Sequence, residues 1–284
     1  MQPLQFVGLD QVQVTPEQYQ LIQEAVITAA RAPLIGRQVM PRKELNDYGI
    51  TQIETWIQTD MNAAAIGMAA VQGNADIVGL TPGALNIPVL WKDFNIFVRD
   101  LASSKRLGIP LDTTFATDAG RRVAELEELL IWEGTQGFIG FKGVVGRQSH
   151  ATTGTWKATS HAYDDLCMAI AGLEAAGYAG PYSFIVSPVQ KSYMRQLFAS
   201  TGITILEKCQ ELADVYTSFF FADDTHALVV APDPANFELQ IGQNLITHPA
   251  VLPTGDLFVR VYEAVIPEFK RATSIFDITT IVFT

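Results

Sequence analysis

Apolar positions along the chain follow two periods, and the changes between them mark out its elements. Residues 16–31 place Tyr19, Ile22, Val26 and Ala29 on one helical face, with Thr15 as the cap, Pro16 at the first helical position and Gln18 three residues after the cap. Pro33 stops this pattern, and Leu34 to Arg37 reads as a turn. Residues 50–60 are β-branched and aromatic and predict a strand. A second strand is expected from about Ile87 to Leu101, with Leu90, Phe94, Ile96 and Val98 on one face. Between them, Met61 to Gly83 is small and weakly charged and predicts no clear helix. Two long strands joined in this way predict an extended hairpin arm. Such an arm buries little of itself and needs a surface to lie on.

The longest helix is predicted from Asp112 or Thr113 to a left-handed stop at Gly134. Phe115, Ala119, Val123, Leu126 and Leu130 form its apolar stripe, Arg121 and Glu125 an i,i+4 pair, and Glu125, Glu127 and Glu128 a solvated face. Glycine then recurs every third residue at 134, 137, 140, 143 and 146, which reads as a flexible loop or as one packed closely against a symmetry mate. The second half mixes periods. Tyr163, Leu166, Cys167 and Ile170 make a helical stripe ended by Gly177, and Gly180-Pro181 turns into a strand at Tyr182 to Val186. Ser187-Pro188-Val189-Gln190 is a capping box whose helix should bury Tyr193, Met194, Leu197 and Phe198. Ile205 to Ala213 predicts a short helix; Tyr216 to Ala222, Ala227 to Ala231, Phe237 to Ile241, Leu257 to Ile266 and Ser274 to Phe283 predict strands.

Composition sharpens this picture. Hydrophobic residues make up 48% of the 284 positions and charged residues only 17%, against about 25% in an ordinary soluble domain. Disorder is excluded, and apolar surface is expected to be covered by other chains. Residues 61–90 carry a single charge, Asp76, so much of the shortage falls in the arm. The net charge of −11 argues against a basic nucleic-acid-binding face. The expectation is no membrane span, no sequence-specific nucleic-acid binding, and residence in the cytoplasm or a virion. Cys167 and Cys209 are read as small core residues.

Chemistry is sparse. Asp223, Asp224 and His226 form the densest polar cluster and define the alternative reading, a soluble α/β metal-dependent enzyme. Neighbours on a strand point to opposite faces, which favours a solvated turn. Asp164-Asp165 reads as a helix-start pair. Trp91, Trp132 and Trp156 read as packing or interface residues. No catalytic, cofactor or metal residue is assigned.

The order of elements resembles one family. Gly36-Arg37, the long arm, Ala124-Glu125-Leu126-Glu127-Glu128, Gly180-Pro181-Tyr182, Ala227 to Val230 and Ile241-Gly242-Gln243-Asn244-Leu245 are similar to encapsulin (linocin-like) shell proteins and the related Hong Kong 97-type phage major capsid proteins. The resemblance implies an α+β Hong Kong 97-type capsid fold with an extended hairpin arm (E-loop), a peripheral domain with a long spine helix, and an axial domain. It divides the chain into an N-terminal arm and helix at 1–49, the hairpin arm at 50–101, the peripheral domain at 102–160, the axial domain at 161–250, and returning strands at 251–284. The arm would press Trp56, Ile66, Met68, Val71, Ile77 and Leu80 on a neighbour; Gly180, Pro181, Tyr182, Gly242 and Gln243 carry the family motif. The implied function is non-enzymatic: many copies closing an icosahedral shell around DNA, as a virus, or around a cargo protein, as a nanocompartment. Leu101 stands where some encapsulins carry a flavin-stacking tryptophan, so no cofactor is carried over.

Overall fold

The computed structural model describes residues 16–31, 35–58, 80–107, 112–157, 161–198, 202–220 and 224–283. The first helix, α1, spans Pro16–Arg31 and a short α2 spans Gly36–Val39. Strands β1 (Arg42–Glu44), β2 (Gln52–Gln58), β3 (Leu80–Asn86) and β4 (Val89–Ile96) follow, then α3 (Val98–Leu107) and the long α4 (Thr114–Trp132). A tight hairpin of β5 (Gly134–Thr135) and β6 (Phe138–Ile139) leads to β7 (Gln148–Ala151) and α5 (His161–Ala175). The chain continues through β8 (Ser183–Val186), α6 (Pro188–Met194), α7 (Ile205–Gln210), β9 (Asp214–Thr217) and β10 (Ala227–Val230). It ends in β11 (Phe237–Val251), β12 (Leu257–Phe269) and β13 (Ile275–Thr279).

Two larger sheets organise these elements. One has the order β1-β11-β12-β4 and the other β7-β13-β10-β8-β9. The long antiparallel pair β11–β12 forms the centre of the first sheet, and α4 and α1 lie over it. Val259 and Val261 of β12 face that layer, while Phe258, Arg260 and Tyr262 alternate to the other side. Strands β8 and β10 are buried on both faces. Ile185, Leu228 and Val230 join the core under α4. Phe184, Val186, Ala227 and Val229 join a second core under α5, α6 and α7. Unbroken apolar runs are what two-sided burial requires. The two sheets also cross the sequence-based segment limits. β11, expected within 161–250, lies in the sheet under α4, whereas β13, expected within 251–284, lies in the sheet under α5.

Several expectations need correction. Gly36 opens a short helix where a turn was expected. The strand expected from Ile87 to Leu101 ends at Ile96, and its last part is α3. The cause is long-range: the Asp256 side chain accepts the backbone N–H of Val98 at 2.9 Å and caps that helix from another strand's turn. The return strand of the arm is β3, which pairs with β2 from Gln52↔Asn86 to Gln58↔Leu80. It contains Pro82 and Gly83, residues that weaken a strand signal and are tolerated where no further strand pairs.

In α4 the buried face is offset from the expected stripe. Ala116, Ala119, Gly120, Val123, Ala124, Glu127, Glu128, Leu130 and Ile131 are buried, whereas Phe115 is 58% exposed. The glycine run begins as a tight hairpin at 134–139, with Gly134 and Gly137 at φ +77° and +88°, and continues into a 3-10 turn at Phe141–Gly143. The capping box at Ser187 forms as expected, with Gln190 N–H donating to Ser187 Oγ at 3.2 Å and Ser187 N–H to Gln190 Oε1 at 2.8 Å. Leu197, expected in the core, is exposed because α6 has ended before it.

Candidate assembly surfaces and the buried acid cluster

The arm is a two-stranded ribbon whose base is held by Ile53 and Leu85 against the first core. Trp56 stands opposite Pro82 and Leu80 opposite Gln58 in its register. Ile66, Met68, Val71 and Ile77 lie outside the described residues.

The face of the first sheet turned away from α4 carries an aromatic patch. Tyr48, Trp91, Phe258 and Tyr262 surround a depression of about 470 Å³ with Arg260 and His248. Tyr48 meets Tyr262 edge-on at 5.4 Å, and the Arg260 guanidinium lies 5.6 Å from the Phe258 ring centre. Arg260 also grips Asp93 through two hydrogen bonds of 2.7 Å. Trp91 is 57% exposed. Of the three tryptophans singled out, it is the one on a surface; Trp132 and Trp156 are buried in the two cores.

The family-motif positions are structural. Tyr182 is buried, and its hydroxyl donates to the Tyr178 carbonyl at 2.8 Å, fixing the entry into β8 after Gly180 and Pro181. Gly242 and Gln243 sit where the β11–β12 register shifts. That irregularity brings the next residue, Asn244, to Arg37.

Arg37 is the centre of a cluster that the sequence reading missed. Glu127 and Glu128, expected on a solvated helix face, are fully buried. Arg37 Nε donates to Glu127 Oε1 at 2.7 Å, and its Nη2 donates to Glu127 Oε2 at 3.0 Å and Glu263 Oε2 at 2.7 Å. Glu128 accepts the Gly36 backbone N–H at 2.6 Å and the Trp132 indole N–H at 2.5 Å. Burial pushes the Glu128 carboxyl up to about 7, against the lowering effect of its Gly36 and Trp132 donors. Burial, with the Glu127 charge beside it, raises Glu263 well above the ordinary carboxylate range, against the pull of Arg37. No local signal marked it: Arg37 stands in the sequence among Arg31, Arg42 and Lys43, and only folding sets it against the buried carboxylates.

The alternative site does not assemble among the described residues. Asp223 lies outside them; the Asp224 backbone carbonyl accepts Gln190 Nε2 at 2.7 Å; and His226 Nδ1 is 2.9 Å from buried Asp277, which also binds Arg147. No group of three or more His, Cys, Asp or Glu side chains among the described residues is arranged to hold a metal. Asp165, expected at a helix start, is buried. It accepts Thr152 Oγ1 at 2.6 Å, Thr153 N–H at 2.9 Å and Trp156 Nε1 at 2.8 Å, so it ties residues 152–156 to α5. Cys209 is buried and Cys167 partly so, both as free thiols, and burial pushes the Cys209 thiol up to about 12. Among the described residues no helix is long and apolar enough to cross a membrane.

Comparison with known proteins agrees with this architecture. The chain is 25% identical over 283 residues to the type 1 encapsulin shell protein EncA of Myxococcus xanthus, covering 95% of each. It is 27% identical over 248 residues to a diheme-cytochrome–encapsulin shell fusion protein of Kuenenia stuttgartiensis, covering 82% of this chain and 65% of that longer protein. The virus-like particle of Pyrococcus furiosus superposes with a TM-score of 0.74 at 17% identity, over 92% of this chain and 99% of that one. The capsid of Myoviridae phage XM1 gives 0.65 at 13% identity, over 88% and 92%. These two likenesses show the Hong Kong 97-type fold. The family described as encapsulating protein for peroxidase matches residues 5–248. The chain therefore belongs to that linocin-like encapsulin family, whose members are structural shell proteins rather than enzymes.

Proposed function

We propose that this shell protein forms an encapsulin-type nanocompartment that encloses a cargo protein. The observation that carries the reading is the family match over residues 5–248, together with an encapsulin relative that aligns over 95% of both chains. The fusion of a relative's shell to a diheme cytochrome supports a redox protein as cargo. In this reading the arm, with Trp56, Ile66, Met68, Val71, Ile77 and Leu80, lies on a neighbouring copy. Its single charge over 61–90 supports that placement, since apolar area gives about 25 cal/mol per Å² on burial before association costs. The peripheral part is built on α4 with the first sheet and the axial part on α5 with the second, so β11 belongs to the former and β13 to the latter.

A second reading, a viral capsid around DNA, is favoured by the likeness to the phage XM1 capsid. Native particles, purified without denaturation and treated with nuclease, separate the two. Mass spectrometry should find a second protein at fixed stoichiometry. Nuclease-protected DNA filling the particles, with no second protein, would favour the capsid reading instead.

A further inference from the structure

Three carboxylates, Glu127, Glu128 and Glu263, are enclosed with a single guanidinium, that of Arg37. The count matters because fully ionised acids would leave two uncompensated negative charges in a buried site, a costly arrangement. Glu263 Oε1 is buried without a hydrogen-bond donor, so the ionised form of this carboxyl is supported at Oε2, by Arg37, and not at its other oxygen. The groups facing the cluster come from four elements: Arg37 of α2, Glu127 and Glu128 of α4 with the Trp132 indole N–H, Glu263 of β12, and the Asn244 amide of β11. A cavity of about 250 Å³ adjoins it, to which α1 adds Ile27 and Ala30. Among the described side chains none of the facing groups is a second cation.

The cluster joins parts of the chain that are distant in sequence. Glu128 holds the backbone of Gly36, and Arg37 binds α4 and β12 together. The fit is close: a methyl group at Gly36 would lie 2.5 Å from Ile131 Cδ1 and 3.3 Å from Glu128 Oε1. Whatever loosens these bonds therefore frees the 35–40 segment that follows α1.

We propose that the Arg37–Glu127–Glu128–Glu263 cluster is a pH-sensitive latch, which in its protonated form holds the 35–40 segment and α1 on α4 and β12 and which loosens as it loses protons. Protonation leaves the site near neutrality; deprotonation adds repulsion between acids on α4 and β12, relieved by opening toward the adjoining cavity. The raised values of Glu128 and Glu263 give the sign: the stabilisation is present in acid and is lost as the pH rises through the folded-state values, near 7 for Glu128.

Hydrogen–deuterium exchange on the intact assembled protein tests this. Rates at about pH 6 and about pH 8.5 are corrected for intrinsic base catalysis, and opening of α1 and residues 36–40 should rise roughly tenfold at the higher pH, while α5 stays constant. In Glu263→Gln and Glu128→Gln the rise should fall below about twofold. Equal corrected protection of the native chain at the two pH values would overturn the latch, whatever the variants do. An undiminished rise in both variants would overturn its assignment to these carboxylates.

Discussion

Gly120 of α4 packs directly against the Val26 backbone of α1, and replacing it by alanine sets two known effects against each other. In a helix interior, glycine to alanine is ordinarily a gain of about 1 kcal/mol. Here the added methyl group would lie 2.6 Å from the Val26 carbonyl oxygen and 3.0 and 3.1 Å from Val26 Cα and C. All three atoms are backbone, so no side-chain rotation relieves the overlap, and α1 must move off the helix that it covers. Overpacking of this kind costs about 1–3 kcal/mol, which outweighs the propensity gain in a site as closed as that of Val26. The three nearest contacts, all backbone, place the cost toward the upper end of that range. The expected result for Gly120→Ala is therefore a net loss approaching about 2 kcal/mol, or a Tm lower by roughly 4–8 °C. Circular dichroism or scanning fluorimetry of the purified protein reads it. A Tm for Gly120→Ala equal to or above that of the native chain would refute the packing argument.

Other substitutions reach other levels of the structure. Asp165→Ala leaves the buried Trp156 indole N–H and the Thr153 N–H without their acceptor and should cost about 2–4 kcal/mol, with faster proteolysis within 152–157 as the readout. Ser187→Ala removes the cap of α6 and should cost about 1 kcal/mol in chemical denaturation. Paired Ile66→Asp and Met68→Asp substitutions should abolish assembly by light scattering while the circular dichroism of the chain is retained; normal particles would contradict the role given to the arm.

What the sequence revealed depended on how local each determinant is. The Ser187 capping box, α1 and the strands β10 and β12 were legible because neighbouring residues set them. The two-sided burial of β8 and β10 left a local signal too, the short apolar runs Phe184 to Val186 and Ala227 to Val230. The α3 start was hidden because its cap, Asp256, is 158 positions away from Val98. The acid cluster was hidden for the same reason. Glu127 and Glu128 look like a solvated face until Arg37, 90 residues earlier, is folded against them. Metal chemistry at Asp223, Asp224 and His226 gains no support from the fold: among the described residues no group of three or more His, Cys, Asp or Glu side chains is arranged to hold a metal, and His226 Nδ1 is paired with Asp277 on a neighbouring strand. Family resemblance carried the larger architecture, because the order of elements survives where individual side chains do not.

Membership of a shell-forming family implies that this chain builds closed shells of many identical copies. Light scattering on the purified protein, followed by electron microscopy of the same fractions, tests it most directly. The expected result is a single population of closed, symmetric particles many times the 31.1 kDa of one chain. A stable 31.1 kDa species, with no particles at any concentration, would contradict it.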